Sequence, residues 1–150
     1  MTVFEREINK INSVIYSNQE QIETVISVRK YMDNNYDKNL NLDLLSHFRF
    51  VSKFHLLRLF KKYYGLTPAQ YLRDKRIEKS KEQLTKGMSV TETCYAVGFA
   101  SLGSFSTLFK NKTGKSPSEF QNEQLSRSKL NSEFSTLENN KNIKDESITN

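Results

Sequence analysis

Apolar residues recur every three or four positions along most of the chain, the period of an α-helix with one buried side. Ile22, Val25, Ile26, Met32 and Tyr36 follow one such stripe, and Leu42, Leu45 and Phe48 make a second after an N-cap at Asn41. A third helix is predicted from the Ser52 cap to Tyr64, where Gly65 supplies the left-handed residue that ends helices. Thr67-Pro68 then caps and opens a fourth at once, running to Lys86 with Tyr71, Leu72, Ile77 and Leu84 inward and stopping at Gly87. A short helix from Val90 to Val97 ends at Gly98, one from Leu102 to Thr113 ends at Gly114, and Ser116-Pro117 opens a last one through Phe120 towards Leu125. No stretch alternates like a strand between hairpin turns. The pattern predicts an all-α fold of seven helices.

Part of this pattern is written twice. "LFKKYYGLTP" at 59–68 returns as "LFKNKTGKSP" at 108–117, so that helix, glycine stop and capped proline start are repeated, and both prolines of the chain serve this purpose. Upstream, Ser52 aligns with Ser101 and Leu56 with Phe105, and each unit carries a short helix just before its serine. Short helix, tight turn and longer helix, made twice, predict two helix-turn-helix units, at about 41–64 and about 89–113, joined by a long linker helix over 67–86. Residues 19–125 are expected to form this bundle-like pair. The segment 1–18 reads as a loosely attached arm, and 126–150, polar and rich in Asn and Ser, as a disordered tail.

Charge sharpens the picture through its distribution. The formal net charge is +6 and the pI about 9.4. The excess lies almost wholly in 41–86, where eleven Lys and Arg face four Asp and Glu; the ends are each slightly acidic. An anionic partner such as nucleic acid is favoured. On the third helix, at about 100° per residue, Leu56, Leu59, Phe60 and Tyr63 cluster as core. Phe54, Leu57, Arg58 and Lys61 are left on the opposite side. Large apolar groups beside two cations suit the DNA major groove, which offers methyl groups and sugar edges next to phosphates and guanine acceptors. The alternative is a basic protein-interaction module whose Phe54 and Leu57 dock on a partner helix or RNA polymerase, with DNA binding secondary. The linker helix spans about 30 Å, close to the roughly 34 Å between successive major grooves on one face of DNA. One chain could then read an asymmetric site as a monomer.

These residues resemble a known family. Leu45-Ser46, Ser52, Leu56, Arg58, Phe60-Lys61, Gly65, Tyr71-Leu72 and Arg76-Ile77, followed by Val90, Cys94, Gly98-Phe99, Ser101, Phe105, Phe109-Lys110, Gly114 and Pro117, are similar to the AraC/XylS family of bacterial transcription regulators over about 22–121. The string "VGFASLGSFSTLFKNKTGKSPSEF" is highly specific to it. The resemblance implies a DNA-binding domain whose third and sixth helices enter adjacent major grooves. It also implies double-stranded DNA as partner, contacts to RNA polymerase in activators, and a place at the bacterial nucleoid.

Carried over by position, the family's base-reading sites fall on Lys53, Phe54, Leu57 and Arg58 in the first unit and on Leu102, Gly103, Ser106 and Thr107 in the second. Ser52, Lys61, Lys62, Ser101, Lys110 and Lys112 fall towards the DNA backbone. Arg58 is the hydrogen-bonding candidate, since its fork can bond guanine O6 and N7. The sequence departs from the family at Thr107, where an arginine is frequent, and a face of Gly, Ser and Thr has little reach. It departs again at Phe50, near the first turn, where the family usually has glycine able to take positive φ. That bulk predicts a longer or reshaped turn. Ser46 and Cys94 hold the small-residue position where paired helices cross.

Other chemistries find little footing. Cys94 lies on an inward stripe and reads as a small hydrophobe rather than a partner for His47 or His55. One cysteine and two histidines make no recognisable zinc site, and no glycine-rich phosphate loop is present. No enzyme activity, cofactor, metal or small-molecule ligand is expected. The charged start "MTVFEREINK" and the lack of an apolar run near the roughly 20 residues that cross a bilayer lead to the expectation of a cytoplasmic protein with no membrane partner.

Overall fold

The computed structural model describes the backbone of residues 1–146 and the side chains through residue 141. Seven helices follow one another, with no strand among the described residues: α1 (Val3–Asn35), α2 (Leu42–Phe48), α3 (Lys53–Tyr64), α4 (Pro68–Thr85), α5 (Val90–Ala96), α6 (Leu102–Thr113) and α7 (Pro117–Glu146). The chain divides into two units, 1–76 and 77 onwards, with the boundary inside α4. Among the described residues no helix is long and apolar enough to cross a membrane.

Helix starts follow side-chain chemistry that satisfies the free N–H groups of the first turn. Asn41 accepts from the Leu44 amide at 2.8 Å, and Ser52 accepts from the His55 amide at 3.1 Å. Ser89 with Glu92, and Ser116 with Glu119, form reciprocal bonds of the capping-box type. Gly65 at φ 70° and Gly114 at φ 81° end α3 and α6, as the repeated phrase predicts.

In the first unit the core is Val25, Val28, Met32, Leu45, Leu56, Leu59, Phe60 and Leu72. Phe60 stacks at 4.8 Å on Tyr64 and edge-on at 5.6 Å to Tyr71. A polar cluster ties α1 to α4: the Tyr71 hydroxyl donates to Asp33 at 2.6 Å, and Arg29 donates to the other carboxylate oxygen at 2.7 Å. The Arg76 guanidinium donates to the carbonyls of Tyr36 and Lys38, holding the chain where it leaves α1.

In the second unit Ile77, Leu84, Cys94, Phe105 and Phe109 form the core. Phe99, Phe105, Phe109 and Phe120 make a continuous ladder of rings with centroids 5.2, 5.7 and 5.5 Å apart. Gln121 on α7 donates to the carbonyls of Leu84 and Met88, closing the end of α4. Phe60 and Phe109, equivalent in the repeat, are both fully buried. Truncating either to alanine should cost about 3–5 kcal/mol.

Several sequence expectations are corrected. The buried line of α1 is Val25, Val28 and Met32, whereas Ile22 and Ile26 are 41% and 37% exposed. The stripe is rotated because Ile26 lies about 100° round from Val25, and α3 and α4 cover only the side that carries Val28. Tyr63, expected in the core, is also exposed. The segment 1–18 is helical from Val3 on, though exposed throughout. The tail expected to be disordered from 126 is helical to Glu146, exposed along its described side chains, and 147–150 lie outside the described residues. All five glycines and both prolines lie between 65 and 117, so nothing in either end breaks a helix. Extending a helix from a turn already packed avoids the unfavourable nucleation step.

Candidate nucleic-acid interface

Each unit presents the second helix of its helix-turn-helix through the turn that precedes it. After α2 the Phe50 amide donates to the His47 carbonyl and the Val51 amide to that of Ser46. After α5 the Gly98 amide donates to Tyr95 and the Phe99 amide to Cys94, the same pair of bonds. Such a pair of bonds closes a helix through one left-handed residue. Gly98 fills that place at φ 96° and Phe50 at φ 53°. Of the longer or reshaped turn that its bulky residue predicts, the first turn is not longer but is reshaped, being one residue shorter than its counterpart. It has three residues between α2 and the Ser52 cap, against four between α5 and the Ser101 cap, and phenylalanine accepts the strained conformation. Phe50 is 98% exposed, so no packing compensates.

The outer face of α3 carries Phe54, 82% exposed, with Arg58 and Lys61 following one and two turns later. Among the described residues nothing in the protein bonds the Arg58 guanidinium, so its donors are available to a ligand. Leu57 is only half exposed: it lines an apolar hollow with Leu42, Leu45, Pro68 and Leu72. The Lys53 ammonium pairs with Asp43 in the first turn of α2 at 2.6 Å. Both groups are exposed, and such a pair is worth no more than about 1 kcal/mol, so a phosphate can displace the carboxylate. Lys62 lies 5.1 Å over the Tyr63 ring and reaches Gln21 of α1 at 3.5 Å, which turns it from the centre of the face. The Ser52 hydroxyl accepts its cap bond and keeps its own proton to donate.

The outer face of α6 is flatter. Leu102 and Thr107 are exposed and Ser106 half-buried, and a Cβ added at Gly103 would meet nothing within 4 Å. The glycine is not demanded by packing, and its effect is to bare the helix backbone. Ser101 not only caps α6 but also shares a bond with the Ser104 hydroxyl at 2.8 Å. Lys110 is exposed in the last turn, as Lys61 is in α3. The partners Asp43 and Ser104 were missed by the sequence reading. Asp43 has a signal in being an acidic residue near the start of α2, but its meeting with Lys53 depends on how the turn folds back.

Cys94 is fully buried in the second core, and burial pushes its thiol above the ordinary value, away from the reactive thiolate. The His47 ring is held by the carbonyl of Asp43 at 2.7 Å.

These features have counterparts in known proteins. A family model described as a helix-turn-helix domain matches residues 45–123. The chain is 33% identical over 100 residues to the bifunctional transcriptional activator/DNA repair enzyme AdaA of Bacillus subtilis, covering 66% of this chain and 47% of that protein. It is 37% identical over 91 residues to an HTH-type transcriptional regulator in the cgkA 5′ region of Pseudoalteromonas carrageenovora, covering 61% and 54%. The chain thus spans about half the length of the curated relatives it matches. Among solved structures, the C-terminal domain of AraT, a response regulator from Geobacillus stearothermophilus, superposes with a TM-score of 0.64 at 29% identity, covering 66% of this chain and 84% of that one. With the two helix-turn-helix units, their shared caps and stops, and a matching model over more than half its residues, the chain belongs to the AraC/XylS family of transcription regulators.

Proposed function

We propose that this chain binds double-stranded DNA sequence-specifically and regulates transcription, with α3 and α6 each entering a major groove, the two grooves adjacent, and each chain reading one asymmetric site. The observation that carries the reading is the exposed trio Phe54, Arg58 and Lys61 on the second helix of a unit whose core is complete without them. Arg58 supplies the guanine-reading fork, Phe54 meets thymine methyls or sugar edges, and Lys61 lies at a phosphate.

The two units divide the work unequally. The first supplies most base readout. The second positions the chain on the backbone through Ser101, Lys110 and Lys112, while Gly103 allows the α6 backbone a close approach. Half-burial of Leu57 leaves Phe54 as the one large apolar group fully offered by α3, which weakens the case for a protein-docking face there. Contact with RNA polymerase is a further step of the proposal for a bound activator.

Selection of bound duplexes from a random library tests the reading. The expected result is a site with one strongly specified half and one weakly specified half. Binding to that site should fall steeply as salt rises and should prefer duplex to single strand. A flat salt response with no enriched sequence overturns the proposal.

A further inference from the structure

Residues 3–20, the first eighteen of α1, are exposed throughout in the single chain. Most helical stability in proteins comes from packing one apolar face, so a helix of this length with every side chain exposed is incomplete. Its apolar residues are not scattered. Phe4, Ile8, Ile11, Ile15 and Ile22 are spaced four, three, four and seven apart, with Asn18 in the one intervening place. Spacing of four and three in alternation, sustained over about three heptads, is the seam of a coiled coil. All five apolar seam residues are large and exposed, Phe4 the most.

The next seam positions decide where the coil ends. Val25 and Met32 continue the heptad but are buried in the first unit's own core. The stripe therefore passes from an open face into a closed one, leaving Phe4 to Ile22, about 27 Å of helix, for an external partner.

We propose that this partner is the same segment of a second copy of the chain, in a parallel two-stranded coiled coil. Three features select that occupant. In the heptad frame every first position from Ile8 to Ile22 is isoleucine, the β-branched type found there in parallel coils, and the fourth positions break an all-isoleucine seam with Phe4 and the polar Asn18. In a parallel pair Asn18 meets its counterpart and both amides bond each other, whereas an antiparallel pair centred on the stripe sets Asn18 against Ile8 and strands it. The flanking contacts of a parallel pair match Glu7 with Asn12 and Val14 with Gln19, so no like charges face each other. Among the described residues the exposed apolar run Leu130, Phe134 and Leu137 on α7 is less than half as long and carries no such polar mark.

A seam of this length buries on the order of 1,000 Å² in total, at the lower limit for a specific interface. Association is accordingly expected to depend on concentration within the experimental range. Each chain still reads its own site, so the single-chain expectation holds for DNA readout and is replaced for the assembly, in which two such readers are tethered from one end. The pairing does not rest on the DNA reading.

Sedimentation equilibrium of the intact chain without DNA, across about 1–200 μM, tests it. The expected mass rises from the 17.5 kDa monomer to twice that value. Ile15→Glu should raise the dissociation constant at least tenfold, and Tyr16→Glu, one residue off the seam, should leave it unchanged. Ile15→Cys, oxidised, should link two chains through residue 15, while the wild type with its buried Cys94 should not link. A constant monomer mass overturns the proposal, as does association that survives Ile15→Glu, is lost in Phe134→Glu, or fails to link through residue 15.

Discussion

Phe50 and Gly98 occupy the same place in two copies of one motif: each is the left-handed residue that closes a short helix before a recognition helix, at φ 53° and 96°. Only glycine takes that conformation without a steric penalty, which for other residues is roughly 1–2 kcal/mol. The first turn holds its shape against its own side chain.

Phe50→Gly should therefore stabilise the protein by about 1 kcal/mol, the relief being offset in part by the freer unfolded chain. Phe50→Ala keeps the Cβ and should gain little. Urea unfolding of the two variants beside the wild type checks this, and a destabilised glycine variant would show that Phe50 makes a contact worth more than its strain.

The Tyr71 hydroxyl is pushed up to about 12 from its usual 10.0, by burial first and then by its bond to the Asp33 carboxylate. A folded value above the unfolded one means that the stabilisation is complete below pH 10 and is lost as pH rises from there through about 12. Tyr71→Phe should lower stability at neutral pH by about 1 kcal/mol and remove that alkaline decline. The check is the urea midpoint followed from pH 8 to 12 in both proteins.

Base readout and backbone contact should separate by variant. Arg58→Ala should relax preference at one base pair at a cost of about 1–3 kcal/mol, whereas Lys110→Ala should weaken all sequences alike and lower the salt slope by about one. Binding titrations on the selected site and its single-base variants measure both. Equal loss of specificity from Thr107→Ala and Arg58→Ala would remove the proposed inequality of the units.

Gly103→Ala should raise stability by roughly 0.5–1 kcal/mol, because the added methyl meets open space within a helix that glycine weakens. DNA affinity should move the other way if the α6 backbone closely approaches the groove. Thermal unfolding and binding measured on the same preparation separate the two, and unchanged affinity would count against close approach.

Part of the acid limb of the stability curve should trace to two caps. Glu92 and Glu119 are held below the usual carboxylate range by their bonds to Ser89 and Ser116. Their contribution is present above the ordinary value near 4.5 and disappears as pH falls through the depressed one. Replacing both by Gln should flatten stability between pH 5 and 3, seen in the thermal midpoint across that range.

Local chemistry made much of the fold legible. The starts of α2, α3, α4 and α6 follow from Asn41, Ser52, Thr67-Pro68 and Ser101, and the ends of α3 to α6 from the glycine stops, because caps and left-handed residues act on the nearest few residues. The repeat exposed the two helix-turn-helix units for the same reason. Phe54 and Arg58 could be placed on the outer face because a single helix with a clear apolar side fixes its own opposite side.

Which of several apolar stripes is buried was not legible. Val28 rather than Ile26 faces the core, Leu57 is drawn half inward by the hollow between α2 and α4, and Lys53 is claimed by Asp43. Helical period is indifferent among neighbouring stripes, and the choice belongs to the elements that pack across them. The sequence by itself determined the seven-helix pattern, the doubled frame and the chemistry offered on α3. Tertiary structure alone decided the retreat of Leu57 and the open seam of α1, since each depends on what another helix covers or leaves uncovered, whereas the strain at Phe50 is local to its own turn and was foreshadowed by a bulky residue at a glycine position.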